Sequence, residues 1–164
     1  MSKLKILVYQ NYLEAIRASR GCKMFRRLYV LENGKKRDIL KNGNLSCAYH
    51  VSSILNFFGL ILSPHATVKS TVKDMLENGW EKTKKLVPGN VLVWEERKGV
   101  DEILHRHIGF YLGDGKAISN SSKNGVPSIH HYTYGKNKKG KPKRKIIQIL
   151  THTIIRLSDS RTDK

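Results

Sequence analysis

The sequence is poor in cysteine, with two in 164 residues. Cys22 and Cys47 are too few for a disulfide framework, and no Cys-x-x-Cys spacing exists for zinc. A single bridge is one option. The preferred expectation is two free thiols in a reducing compartment. Acidic residues are also scarce: 13 Asp and Glu stand against 31 Lys and Arg, a formal net charge of +18. Such a balance suits anionic surroundings, whether nucleic acid, a cell-wall polymer or a membrane surface, or else a plain solvated basic face. Long apolar runs are missing. No segment approaches the roughly 20 apolar residues of a membrane span. The first residues start like a signal peptide, but the apolar run is only about four residues and no small-residue cleavage site follows. The localisation expected is therefore cytoplasmic, or exported by a route the sequence does not display.

What remains is an ordinary apolar share of 39% in a length suited to one domain. Residues 4–18 carry Leu4, Leu7, Tyr12, Leu13 and Ile16 at near-helical spacing. Glu32-Asn33-Gly34 reads as a turn between two short strands, Phe25 to Val30 and Lys35 to Leu40. Turn chemistry at 42–46 precedes Val51, Ile54, Leu55 and Phe58 at i, i+3, i+4 and i+7, which predicts a helix over 47–58 ending at Gly59. A second helix is expected over Thr67 to Asn78, with Val68, Val72, Met75 and Leu76 inward and Gly79 as its stop. Beyond residue 80 the period becomes strand-like. Pro88-Gly89 is a turn. Asn90 to Glu95, His105 to Leu112, Ala117 to Asn120, Ser128 to Tyr134 and Ile146 to Leu157 read as strands. Lys136 to Lys145 holds seven basic residues in ten and reads as a mobile loop. The last seven residues read as a frayed, disordered tail. Helices first and a strand meander after them argue an α+β domain over 1–157, with 1–40 as an extra helix and hairpin.

Cys47 sits where a helix begins. Unpaired backbone N–H groups and the helix dipole there favour a thiolate and can hold an oxyanion. A small buried hydrophobe is the alternative role for such a cysteine. Cys22 reads as structural or incidental. His107 lies about sixty residues downstream on a strand whose alternation puts His105, His107, Gly109 and Tyr111 on one face. Gly109 leaves room for close approach by a helix end or substrate. A metal site built from His105, His107, His130 and His131 is a minor alternative, because no carboxylate or cysteine pattern supports it. No cofactor is expected.

Three runs carry a resemblance. Leu45-Ser46-Cys47-Ala48-Tyr49-His50-Val51, then Val87-Pro88-Gly89-Asn90-Val91-Leu92-Val93-Trp94, then His107-Ile108-Gly109-Phe110-Tyr111-Leu112-Gly113-Asp114-Gly115-Lys116 resemble the motifs of the NlpC/P60 and CHAP cysteine hydrolases. The similarity covers about residues 42–135, and its last motif is the most specific. It implies a papain-like fold, with N-terminal helices packed on a small antiparallel sheet. It also implies Cys47 as nucleophile, His107 as base and a peptide or peptidoglycan-like substrate. The chain departs from the NlpC/P60 pattern at Ser46, where Asp usually precedes the nucleophile, and at Ser119, where histidine is frequent. The residue orienting His107 is expected to be Asn120. A two-residue Asp-Gly turn at 114–115 pairs Gly109 with Asn120, and an amide oxygen suits the task. A one-residue slip favours Ser119 instead, and His131 is an outside candidate. Tyr49, Trp94, Tyr111, Ser119 and His131 are candidate substrate-binding residues, with Tyr132 and Tyr134 near the same groove. A catalytically weak module that binds nucleic acid or anionic wall polymer through Lys136 to Lys145 is the alternative function, and an acyl or amide transferase is a third.

Overall fold

The computed structural model describes residues 3–99 and 102–159. Its architecture is α+β: four helices and a six-stranded antiparallel sheet, with a separate two-stranded hairpin. Helix α1 is Val8–Ala18 and the hairpin is β1 Tyr29–Glu32 and β2 Lys35–Asp38. Asn33 and Gly34 both have positive φ, 52° and 75°, the backbone that a tight two-residue hairpin requires. Helices α2 Cys47–Phe57 and α3 Val68–Glu77 follow, then strands β3 Trp80–Lys82, β4 Val91–Lys98, β5 Leu104–Gly113, β6 Lys116–Ser121, β7 Val126–His131 and β8 Ile146–His152, and finally α4 Thr153–Asp159. The strand order is β3-β8-β4-β5-β6-β7, so β5 is interior with β4 and β6 on its two edges.

Both faces of the sheet are covered, which explains the unbroken apolar run Val91-Leu92-Val93-Trp94. Val91 and Val93 join Ile108, Phe110, Ile118 and Leu150 in the main core, against Val51, Ile54 and Leu55 of α2 and Tyr12 and Ile16 of α1. Leu92 and Trp94 face the other way, with Tyr111 and Ala117. A fully buried Leu, Ile or Phe contributes about 1.5–3 kcal/mol each, so the contact of α2 with β5 is a principal holding interaction. Tyr12 is wholly buried and its hydroxyl donates to the Gly89 carbonyl at 2.8 Å, which seats α1 on the Pro88-Gly89 turn.

Several sequence expectations change. Helix α1 starts at Val8, four residues late, and Leu4 and Leu7 are exposed. In α3 Met75 is buried and Val68 and Val72 pack half-buried against the core as expected, Thr71 and Asp74 are buried as well, and Leu76 is exposed. Asp74 is buried because its carboxylate accepts from the Leu62 and Ser63 N–H groups and meets His65 Nε2 at 2.6 Å. The apolar stretch after Ile146 is not one strand. It breaks at His152 into α4, which places Ile155 in the core. Helix α4 also takes up 158–159 of the expected tail; residues 160–164 lie outside the described residues. The basic loop is exposed but tied down. Asn137 N–H donates to Lys141 O, Lys143 N–H to Gly135 O and Arg144 N–H to Thr133 O, at 2.8–3.0 Å.

The turn that feeds α2 is tightly built. Gly43 has φ +98°, and a Cβ there would lie 2.4 Å from the Gly125 carbonyl oxygen. Gly43→Ala is therefore expected to cost about 3 kcal/mol, combining left-handed strain with overpacking. Gly34→Ala, at φ +75° with open space around it, should cost about 1 kcal/mol. Urea denaturation of the two variants checks the ranking.

Candidate active site

A cavity of about 1040 Å³ is lined by Cys47 and Ala48 at the start of α2, His105 and His107 of β5, Ser119 and Asn120 of β6, His130 of β7, and Tyr134 and Arg144 beyond it. Cys47 is the first residue of α2 and is half-buried, as is Cys22; both are free thiols. Burial pushes the Cys47 thiol up from its ordinary range. The N–H groups of Ile108, Ala48 and Cys47 itself, together with the Arg144 charge, oppose that rise without reversing it. This corrects the expectation of a thiolate favoured at rest: desolvation outweighs the helix terminus. His107 is held well below its ordinary value, first by burial and then by Arg144, His130 and His50. The resting pair is therefore neutral thiol and neutral imidazole.

Three side chains from three adjacent strands form a hydrogen-bonded chain. His107 Nε2 lies 2.8 Å from Ser119 Oγ, and Ser119 Oγ lies 2.7 Å from His130 Nε2. His130 Nδ1 lies 2.9 Å from the His131 carbonyl oxygen. That carbonyl can only accept, and it sets the direction of the whole chain. Neutral His130 donates from Nδ1, so its Nε2 accepts from the Ser119 hydroxyl. Ser119 Oγ in turn accepts from Nε2–H of His107. His107 is thereby the Nε2–H tautomer, with Nδ1 left as the bare, basic nitrogen. The Tyr134 hydroxyl, 3.2 Å from Ser119 Oγ, fits as a second donor. Tyr134 also stacks on His130 at 4.1 Å between centroids, which fixes the ring plane.

The register explains why Ser119 holds this place and Asn120 does not. A bulge between Tyr111 and Gly113 shifts the β5–β6 ladder, so Gly109 faces Ser119. A Cβ on Gly109 would lie 2.5 Å from the Ile118 carbonyl oxygen, 2.6 Å from Ser119 Cβ and 3.1 Å from the Trp94 ring; the space that glycine leaves is filled by strand β6 and Trp94 and not by a helix end. Asn120 points to the opposite side of the strand. Its Nδ2 donates to Gly43 O at 2.6 Å and its buried Oδ1 has no partner among the described residues. The expected Asn120–His107 bond is therefore corrected to Ser119–His107. Asn120 ties down the turn that precedes Cys47.

Of the five expected substrate-binding residues, Ser119 alone lines the cavity. Trp94 is fully buried behind the site: its ring packs 5.5 Å from His107 and its Nε1 donates to Tyr132 O. Tyr49 packs on the main core and Tyr111 against Tyr132. His131 is exposed and its Nδ1 accepts from the Thr133 and Gly135 N–H groups, so it organises a turn. His130, Tyr134 and Arg144 also line this cavity; the sequence placed Tyr134 near the groove, offered His130 only as a metal ligand, and gave Arg144 only as part of the basic loop. The usable signal for His130 was strand pairing: Ser119 faces Ser128, and His130 is two residues on, on the same face. Among the described residues no group of three or more His, Cys, Asp and Glu is placed to hold a metal ion. No described helix is long and apolar enough to cross a membrane. No protein-family model matches the chain, and no curated protein matches it.

Two outcomes follow. Nitrogen-15 NMR should find His107 protonated at Nε2 and bare at Nδ1. Ser119→Ala should mix the tautomers, whereas Asn120→Ala should leave them unchanged and cost about 1 kcal/mol of stability. The second concerns His50, which is wholly buried one turn after Cys47, bonded to Ser19 Oγ at 2.9 Å, and lowered by burial to about 3. Its folded pKa lies below the unfolded value, so its contribution is complete above about pH 6.5 and is lost as pH falls toward 3, up to about 5 kcal/mol. His50→Gln should flatten the decline of unfolding free energy over that window.

Proposed function

We propose that the chain is a thiol-dependent amide or peptide hydrolase with Cys47 as nucleophile and His107 as base. The observation that carries this reading is the convergence on one cavity of the first residue of α2 and a histidine whose Nε2 is occupied by Ser119. Nδ1 of His107 is then the nitrogen left to take the thiol proton. The sulfur attacks the carbonyl carbon as that proton leaves, and the N–H groups at the start of α2 take the developing oxyanion. Collapse breaks the C–N bond, and His107 gives its proton to the departing amine. Water, deprotonated by His107, then hydrolyses the thioester and restores the thiol. Ser119 and His130 orient the base through the steps.

The motif resemblance and the order of helices before sheet support a papain-like fold of the NlpC/P60 and CHAP kind, with bacterial cell-wall peptides as the substrate class. The net charge of +18 suits a wall that carries anionic polymer. The same charge favours a second reading, a binding module for anionic polymer, which needs no thiol.

A digest of bacterial peptidoglycan separates the two. The wild-type protein should release new amino and carboxyl termini. Cys47→Ala should release none, and His107→Gln should be slowed by about 100- to 10,000-fold. Retention of polymer by all three proteins with no release by any would replace hydrolysis with binding.

A further inference from the structure

Arg144 lines the same cavity as Cys47 and His107 and acts on both, and nothing in the reading above uses it. It comes from the basic loop, yet its side chain turns inward. Nε and Nη2 donate to the Glu95 carbonyl at 3.3 and 3.1 Å, and Nη2 reaches the His105 carbonyl at 3.4 Å. The guanidinium also lies over the Tyr134 ring at 5.8 Å. Among the described residues no carboxylate pairs with it. It is half-buried and anchored on neutral carbonyls, and the Glu95 carboxylate acts on its charge without forming a salt bridge to it. Its field reaches Cys47, His107 and His130.

The surroundings add to this charge. The cavity is lined by Lys69, Arg97, Lys98, Arg106, Lys123 and Arg144 against one carboxylate, that of Glu96. Arg97, Lys98 and Arg106 are paired with Glu95, Glu102 and Glu96. Lys69 and Lys123 have no ion-pair partner among the described residues. Three cations without a salt bridge among the described residues thus share the cavity with the thiol.

We propose that Arg144, with Lys69 and Lys123 lining the same cavity, is a seat for a carboxylate of the substrate held beside the bond that Cys47 attacks. This rests on the hydrolase reading and narrows it to acidic amides. A planar guanidinium fixed by its own backbone bonds presents its remaining N–H donors without further ordering, which suits a carboxylate.

Iodoacetate and iodoacetamide form a matched probe, since they differ in a carboxylate against a neutral amide. Each alkylates a thiolate by forming an S–C bond and expelling iodide, the thiol proton having gone to the medium. The rate ratio of the two reagents at Cys47, divided by the same ratio at Cys22, cancels thiolate content and the general field of a basic protein. At alkaline pH, where both thiols ionise, this double ratio should be about tenfold in the wild type, the size of one charge-assisted hydrogen bond. It should fall to about one in Arg144→Gln, survive in Arg144→Lys, and fall with rising salt in the wild type. The salt series needs no variant and stands if Arg144→Gln does not fold. A double ratio near one in the wild type, or a high one kept in Arg144→Gln, overturns the seat. If Cys47 reacts readily with both reagents and without preference, the seat fails while the hydrolase reading stands. A strong preference in a protein that hydrolyses no amide preserves the seat and removes the hydrolase. A Cys47 that neither reagent reaches at any pH overturns both.

Discussion

Strand β5 is held along both edges, by β4 and β6, and on one face by α2. The geometry of the site follows from that confinement. Ile108 and Phe110 are wholly buried in the core shared with α2, so the helix cannot slide without exposing them. Alternation then turns His107 to the other face, beside Trp94. The Ile108 N–H acts on the Cys47 thiol, which ties the strand to the first residue of the helix. The register with which β6 joins this strand decides which side chain meets His107. One bulge in the hairpin puts Ser119 there and sends Asn120 to the turn before Cys47. A shift of one residue would exchange the two faces and dismantle the chain of bonds.

That bulge also marks the limit of what the sequence conveyed. Helix α2, the Asn33-Gly34 turn and the strands from Val91 onward were legible, because each rests on local periodicity and turn chemistry. That Cys47 and His107 line one cavity was legible because their runs are distinctive. The side chain bonded to His107 was not, since a regular Asp-Gly turn predicts Asn120 there and Tyr111 and Gly113 depart from that turn. His130 was hidden for a related reason: its place depends on two successive registers, β5 with β6 and β6 with β7. The stretch Ile146 to Leu157 is apolar throughout, so composition could not reveal where strand gives way to helix at His152 and Thr153. Trp94 shows the opposite error. An aromatic near a site invites a binding role, but its indole is spent on the Tyr132 carbonyl and on supporting two imidazoles.

The electrostatics join these parts. Burial raises the thiol and lowers both site histidines, and Arg144 adds to the lowering of each imidazole. A preformed thiolate–imidazolium pair would need the opposite shifts. On the proposed mechanism, the arrangement suits a neutral base that takes the proton as the sulfur attacks. Such a base works only if its free nitrogen is the correct one. The His131 carbonyl, acting through His130 and Ser119, selects it. A serine between two histidines thus does what a single acceptor would otherwise do. It accepts from one ring and donates to the other.

The proposal that Cys47 forms a covalent acyl intermediate with the help of His107 is tested most directly without knowing the natural substrate. The protein is mixed with p-nitrophenyl acetate, quenched in acid during turnover, and the cysteine-containing fragments are weighed by mass spectrometry. The account predicts an acetyl group on Cys47 and none on Cys22, with acetylation of Cys47 slowed strongly in His107→Gln. Equal acetylation of the two cysteines, or a Cys47 rate unchanged by His107→Gln, would contradict it.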